Sequence, residues 1–295
     1  MARAIERIER DIAVLQEAIQ AIAKELQSAY TSYLAALGQA LRKQLILASY
    51  HLCTQGYPEN FLKLSLTQRQ KLQQNLRNLG QQAAQILLSH LMTEEDVELT
   101  TTADTIADAE VTESVEETEN PEVTSNISSP IEPSDDPAGE THIVDISHPI
   151  ALARWQQHLE TQIQHTLRKV SHEANLSLQK AGILPQKLPE PILEAAAVAS
   201  EASAEMMPGP PNILNLVIQI EDEQDAEESS LTQIMTVNLR LGEIEFADST
   251  LATSRKQIRD ILGQLNKLGR EYQKKQRERS IAEAEAAWRA SWYED

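Results

Sequence analysis

The chain has 295 residues, a formal net charge of -19, 41% hydrophobic residues and only 4% aromatic ones. Compact enzyme cores lean on aromatic side chains that each bury a large area. The apolar content here is mostly Ala, Leu and Ile, which suits helices with narrow apolar stripes. The single cysteine, Cys53, excludes an intramolecular disulfide, and the opening MARAIERIERD lacks the apolar run of a signal peptide, so an intracellular, cytoplasmic protein is expected. No stretch approaches the ~18 consecutive apolar residues a transmembrane helix needs; ILNLVIQI at 213–220 is too short and contains Asn and Gln.

The acidity is not spread evenly. Residues 93–148 hold 17 Asp or Glu and no Lys or Arg, and residues 183–232 hold ten acids against Lys187 alone. The charge therefore belongs to connectors, while the helical pieces are near neutral or mildly basic. The expected fold is all-α: an elongated helical hairpin and coiled-coil segments joined by long acidic disordered linkers. Its segments are 1–92, an N-terminal hairpin; 93–148, an acidic linker; 149–182, a central amphipathic helix; 183–230, a Pro/Ala/acidic linker; and 231–295, a long final helix.

In the first segment Ile5, Ile8, Ile12, Leu15, Ile19, Ile22 and Leu26 recur at alternating steps of three and four, the period of a coiled-coil seam against another helix of this chain or of a second copy. The series continues through Tyr30, Tyr33, Leu37, Leu41 and Leu45. TQGYPENF breaks it, with Gly56 suited to a helix end and Pro58 to a helix start. Ser65-Leu-Thr-Gln68 then has the form of a capping box, and Leu66, Leu72, Leu76, Leu79, Ala83, Ile86 and Leu87 mark a returning helix. The stretch 93–148 is too polar to offset the ordering entropy of its backbone, roughly 1–2 kcal/mol per residue, and is read as disordered.

Pro149 opens the central helix, whose stripe is Leu152, Trp155, Leu159, Ile163, Leu167, Val170, Ala174 and Leu178; Gly182 and Pro185 end it. The stretch 213–241 fits two readings. ILNLVIQI and the run from Met235 alternate like a short β-hairpin, while Ile234, Val237, Leu241 and Ile244 keep helical spacing. Because an isolated two-stranded hairpin is marginal in water, helix is the preferred reading. Asp248 or Ser249 then caps the final helix, with a seam of Ile258, Ile261, Leu265, Leu268 and Tyr272.

No P-loop, G-x-G-x-x-G, H-E-x-x-H, G-x-S-x-G or C-x-x-C is present, and neither catalytic residue, cofactor nor metal is expected. His158, His165 and His172 are too far apart along one helix to hold a single ion, about 10.5 Å between neighbours. They are read as polar flanks of a seam. His51 and Cys53 point about 200° apart on a helix and do not form a nucleophile pair. Arg255, Lys256, Arg259, Lys267, Arg270, Lys274, Lys275, Arg277 and Arg279 make a basic stretch, the electrostatic footprint of nucleic acid or an anionic membrane surface. They are read here as spread around the helix on solvated faces. Trp288 and Trp292, one turn apart with Tyr293 and Arg289 beside them, either cap the chain's own bundle or anchor a partner protein.

The elbow CTQGYPENFLKLSLTQRQKL, the acidic middle, EIEFAD and IAEAEAAWRASWYED give the chain a look that resembles uncharacterised helical, coiled-coil proteins of cyanobacteria. The resemblance implies a helical fold and brings no activity and no site residues. The leading expectation is a non-enzymatic coiled-coil adaptor or scaffold that binds protein partners through its helices, a homodimer among them. A basic helix engaging nucleic acid or an anionic membrane is the alternative, and an enzyme with an unrecognised site is the third.

Overall fold

The computed structural model describes residues 2–91, 148–185, 209–220 and 230–292. Most of both linkers, and Tyr293, lie outside the described residues. The described elements are α1 (Ala2–His51), a π-helical turn (Leu52–Gly56), α2 (Pro58–Lys63), α3 (Leu66–Ser89), α4 (Pro149–Lys180), β1 (Ile213–Ile220), β2 (Ser230–Val237), α5 (Leu241–Ala247) and α6 (Ser249–Ser291). They belong to one compact unit spanning Met1–Leu91 and Ile146–Asp295. Apart from the two-stranded hairpin the fold is all-α among the described residues.

Local chemistry sets the boundaries. The capping box is formed in both directions: the Gln68 N–H donates to Ser65 Oγ at 3.3 Å and the Ser65 N–H to Gln68 Oε1 at 2.8 Å. Pro149 occupies the first turn of α4, and Gly182, at φ 79°, turns the chain away after Lys180. Asp248 caps α6 by accepting from the Thr250 N–H at 2.9 Å.

The helix α1 is the spine, about 75 Å long at 1.5 Å per residue. It runs antiparallel to α6 in a register marked by Gln16 with Tyr272 and Tyr33 with Arg255. It also runs antiparallel to α3, where Gly38 meets Ala84 and Gly80 meets Arg42. The fourth helix, α4, packs on α3 and α6, so α1, α3, α4 and α6 close an up-down-up-down four-helix bundle. Its core is the predicted apolar set: Leu37, Leu41, Leu45, Leu76, Leu87, Leu159, Ile163, Val170, Ala174, Leu178, Ile258 and Ile261 are all buried.

Close approach of α1 and α3 needs small residues. A Cβ on Gly38 would lie 2.8 Å from the Ala84 Cβ and 3.1 Å from its Cα, so only glycine permits this spacing.

Toward its N-terminus α1 pairs with α6, and the start of α4 joins them at the level of Tyr272, where His148 meets the Tyr272 ring edge-on at 5.7 Å. Ile12, Ile19, Ile22 and Leu26 are buried there against Leu265 and Tyr272, with Ile5, Ile8, Leu15 and Leu268 half-buried. Beyond Tyr272 the seam loses its large apolar residues, yet Lys275, Arg279, Ala282 and Ala286 remain half-buried at steps of four, three and four. A salt bridge of 3.1 Å from Lys275 to Asp11 holds the register.

The preferred helical reading of 213–241 is overturned. Ile213–Ile220 and Ser230–Val237 form an antiparallel hairpin, with Ile213 opposite Val237 and Leu216 opposite Ile234. The helical spacing of Ile234, Val237, Leu241 and Ile244 arises because the strand ends and α5 begins within that run. Marginality of an isolated hairpin does not decide the matter, since this one is docked. Asn175 of α4 donates to the Val237 carbonyl at 2.9 Å and accepts the Val237 N–H at 2.8 Å, as a neighbouring strand would. The Tyr57 hydroxyl does the same for Met235, accepting its N–H at 3.0 Å and donating to its carbonyl at 3.3 Å. Asn212, fully buried at φ 60°, ties the hairpin to α1 through Gln44 at 3.1 Å and accepts the Arg240 N–H at 3.0 Å.

Candidate functional site

Two regions stand out: a polar network inside the bundle and the outer face of α6. The network draws on four helices. Arg255 of α6 donates through Nε to Glu245 of α5 at 2.7 Å, through Nη1 and Nη2 to the two oxygens of Glu160 on α4, and through Nη2 to the Tyr33 hydroxyl of α1 at 2.7 Å. The Tyr33 hydroxyl donates to Glu245 and the Tyr30 hydroxyl to Glu160 at 2.6 Å, while Gln156 donates to Tyr30 at 3.1 Å. Trp155 packs edge-on against Tyr30 with ring centroids 5.7 Å apart.

Electrostatics follow from this geometry. Burial pushes the Tyr33 phenol far above its ordinary range, an effect that Arg255 moderates and Glu245 reinforces; burial and the Glu160 hydrogen bond raise Tyr30 likewise. Both stay protonated and act as donors. Burial, the largest single effect, would depress the Arg255 guanidinium, but the hydrogen bonds to Glu160 and Glu245 and the electrostatic pull of Tyr33 and Glu160 together outweigh it, and the group is held above its ordinary value. One fixed cation thus meets two carboxylates whose remaining lone pairs face tyrosine hydroxyls, the condition under which a buried ion pair is tolerated. This is a structural lock: every group in it is engaged by another.

Arg255 is therefore misplaced by the sequence reading, which put it on a solvated basic face. Its side chain is only 12% exposed. Lys275 reaches Asp11 of α1 and Glu278 of its own helix, and Arg279 pairs with Glu283 one turn along α6. The nine bases do spread around the helix as a set, but the six that are fully exposed do not. Lys256, Arg259, Lys267, Arg270, Lys274 and Arg277 are all exposed, and at about 100° per residue they fall within an arc of roughly 80°. Arg255, Lys275 and Arg279, which lie off that arc and are engaged in ion pairs, gave the stretch its distributed look.

The same arc carries Ile281, Trp288 and Trp292. Both tryptophans are 66% exposed, so they do not cap the bundle. Their rings lie against each other, 5.7 Å between centroids at an interplanar angle of 40°. Arg289 flanks them in a 3.4 Å pair with Glu285. The two indoles form an exposed apolar patch of the kind that marks interaction surfaces, with Ile281 two turns away on the same face beyond Glu285.

Other candidates are placed plainly. Cys53 is buried, and burial pushes its thiol up to about 11, the opposite of an activated nucleophile. His158, His165 and His172 are exposed on α4. Among the described residues no group of three or more His, Cys, Asp or Glu is placed to hold a metal ion, and no helix is long and apolar enough to cross a membrane.

Sequence reasoning missed Tyr30, Tyr33, Glu160 and Glu245 as a unit. The available signal was the pair of tyrosines at seam positions, since a buried phenol needs a hydrogen-bond partner. The motif EIEFAD also becomes intelligible: Ile244 is buried, Glu245 joins the network and Asp248 caps α6. No family model matches the chain, and no curated protein or solved structure matches it.

Proposed function

We propose that the protein is a non-enzymatic helical adaptor or scaffold that presents the outer face of α6 to protein partners. The observation that carries this reading is the pair Trp288 and Trp292, set against each other at a tilt and two-thirds exposed on a helix held in place by a locked bundle. Tryptophan is the residue type that most often dominates interface energetics, and rigid presentation lowers the ordering cost of binding. The polar network supports the same reading, because it fixes α6 against α1 and α4 without leaving a reactive group open.

The expected result is that Trp288→Ala with Trp292→Ala keeps helix content by circular dichroism and abolishes capture of partners in a pull-down. Unchanged capture by the double variant would remove the reading.

A second reading has its own observation: the line of exposed cations from Lys256 to Arg277 suits an anionic surface, nucleic acid or membrane. Such binding weakens steeply with salt, by a slope near -0.9 per duplex phosphate neutralised. Binding of the full chain to duplex DNA or to phosphatidylserine vesicles that falls tenfold or more between 50 and 200 mM salt, on the order expected for several contacts, would favour it.

A further inference from the structure

We infer that the outer face of α6 from Arg270 to Trp292 pairs antiparallel with the same face of a second copy, with Ile281 on the two-fold axis. The inference rests on the reading of this face as a protein-binding surface and names its occupant.

The argument begins with spacing. Arg270, Lys274, Arg277, Ile281, Glu285, Trp288 and Trp292 are separated by steps of four, three, four, four, three and four, which read the same in both directions about Ile281. All seven are exposed and share one arc of the helix. A two-fold axis through Ile281 sets residue 281+n of one copy opposite residue 281-n of the other, as an isologous interface requires.

The chemistry is complementary in that register and in no like-with-like one. Trp288 falls opposite Lys274, and Trp292 opposite Arg270, so each indole face meets a cation and its aliphatic stem. Glu285 falls opposite Arg277. Ile281 meets its own copy. A parallel pairing would instead stack cation on cation along the first half of the face. The molecule also has room for the indole: Lys274, Glu271 and Lys275 line a shallow groove of about 450 Å³ with Val14, Leu15 and Asp11 of α1. Val14 is itself 64% exposed, an apolar floor at the level where Trp288 of the second copy arrives.

Area sets the strength. An indole side chain buries ~150–250 Å² when fully enclosed. Four two-thirds-exposed indoles then bring roughly 400–650 Å² into the contact, about half or less of the ~1,200 Å² at which specific interfaces begin, and Ile281, the cation stems and the surfaces the indoles cover supply the rest of a weak one. A reversible, concentration-dependent dimer is the expected species.

Sedimentation equilibrium on the full chain over a range of concentrations tests this. The expected result is a monomer–dimer equilibrium that Trp288→Ala with Trp292→Ala weakens at least ~10-fold with helix content unchanged. Arg277→Glu should weaken it as well, and Arg277→Glu combined with Glu285→Arg should restore it. Positions 277 and 285 are two turns apart and do not touch within one helix, so restoration reports an antiparallel contact between copies. A wild-type chain that stays monomeric, a dimer indifferent to the tryptophan pair, or a charge swap that restores nothing would each overturn the inference. If the wild type is monomeric while Trp288 and Trp292 are needed to capture a different protein, self-pairing falls and the adaptor reading stands.

Discussion

Arg255 of α6 and Glu160 of α4 meet two-on-two, the guanidinium Nη1 and Nη2 each donating to one carboxylate oxygen. The planar fork fits this geometry as lysine's point charge does not. Arg255→Met keeps the volume and removes the cation, leaving Glu160 and Glu245 facing each other across the tyrosines. Breaking a buried pair in this way costs about 3–5 kcal/mol, and removing the whole charged set costs far less. The expected outcome is a large loss in urea-unfolding free energy for Arg255→Met. Much of it should return in Arg255→Met with Glu160→Gln and Glu245→Gln. A single variant as stable as the wild type would show that the network does not hold the bundle.

Two glycines in helix interiors give opposite expectations. By propensity alone either Gly→Ala change stabilises a helix by roughly 0.8–1.0 kcal/mol. Gly263 of α6 has nothing within 4 Å of an added Cβ, so Gly263→Ala should realise that gain. At Gly38 the new methyl meets backbone and Cβ of Ala84 inside van der Waals distance. The helices must part, and overpacking of this kind costs about 1–3 kcal/mol. Thermal denaturation of the two variants side by side should show melting temperatures that move in opposite directions.

This contrast shows where the sequence was legible. Ile12, Ile19, Leu26, Leu159, Ile163, Ile258 and Leu265 announce their burial by period, and Ser65 with Gln68 and Asp248 announce helix starts by local hydrogen-bonding chemistry. Nothing local says that Gly38 faces Ala84 or that Arg255 turns inward, because both depend on which helix lies beside which, 46 residues along the chain for the first and 95 for Arg255 with Glu160. The hairpin failed for the same reason. Its edge is completed by Asn175 and Tyr57, residues 62 and 178 positions away from the backbone groups they serve. At the outer face of α6 the spacing of cations and tryptophans was readable, but the line they form emerged only once Arg255, Lys275 and Arg279 were seen to be engaged elsewhere.

His90, at the end of α3, provides a pH prediction. Its Nε2 lies 3.0 Å from Thr166 Oγ1, whose own hydrogen is given to the Gln162 carbonyl at 2.8 Å, so the imidazole Nε2–H is the donor. Burial lowers the His90 pKa below 6.5, and the nearby His158 and His165 lower it further. The unfolded chain therefore binds a proton more readily than the folded one. Stability from this group is full above 6.5 and declines as pH falls through 6.5 toward the depressed folded value. Unfolding midpoints of wild type and His90→Gln should converge as the pH is lowered through this window. Parallel curves would show that His90 does not titrate between the two states.

Asn175 tests whether the hairpin is held by side chains acting as a strand. Its amide bonds both the N–H and the carbonyl of Val237, a residue only 2% exposed, so Asn175→Ala leaves two backbone groups unpaired where water has little access. Each such group costs about 1–3 kcal/mol. Asn175→Asp retains the acceptor for the Val237 N–H and sets a carboxylate oxygen against the carbonyl, so it should rescue little. Hydrogen exchange at Val237 should accelerate strongly in both variants, while amides in the middle of α1, such as Leu37 and Leu41, keep their protection. Tyr57→Phe should do the same at Met235 and leave Val237 protected, because the two side chains serve separate stretches of one strand edge. Equal acceleration at both positions in either variant would mean that the hairpin detaches as a unit, with Asn175 and Tyr57 acting as one clasp.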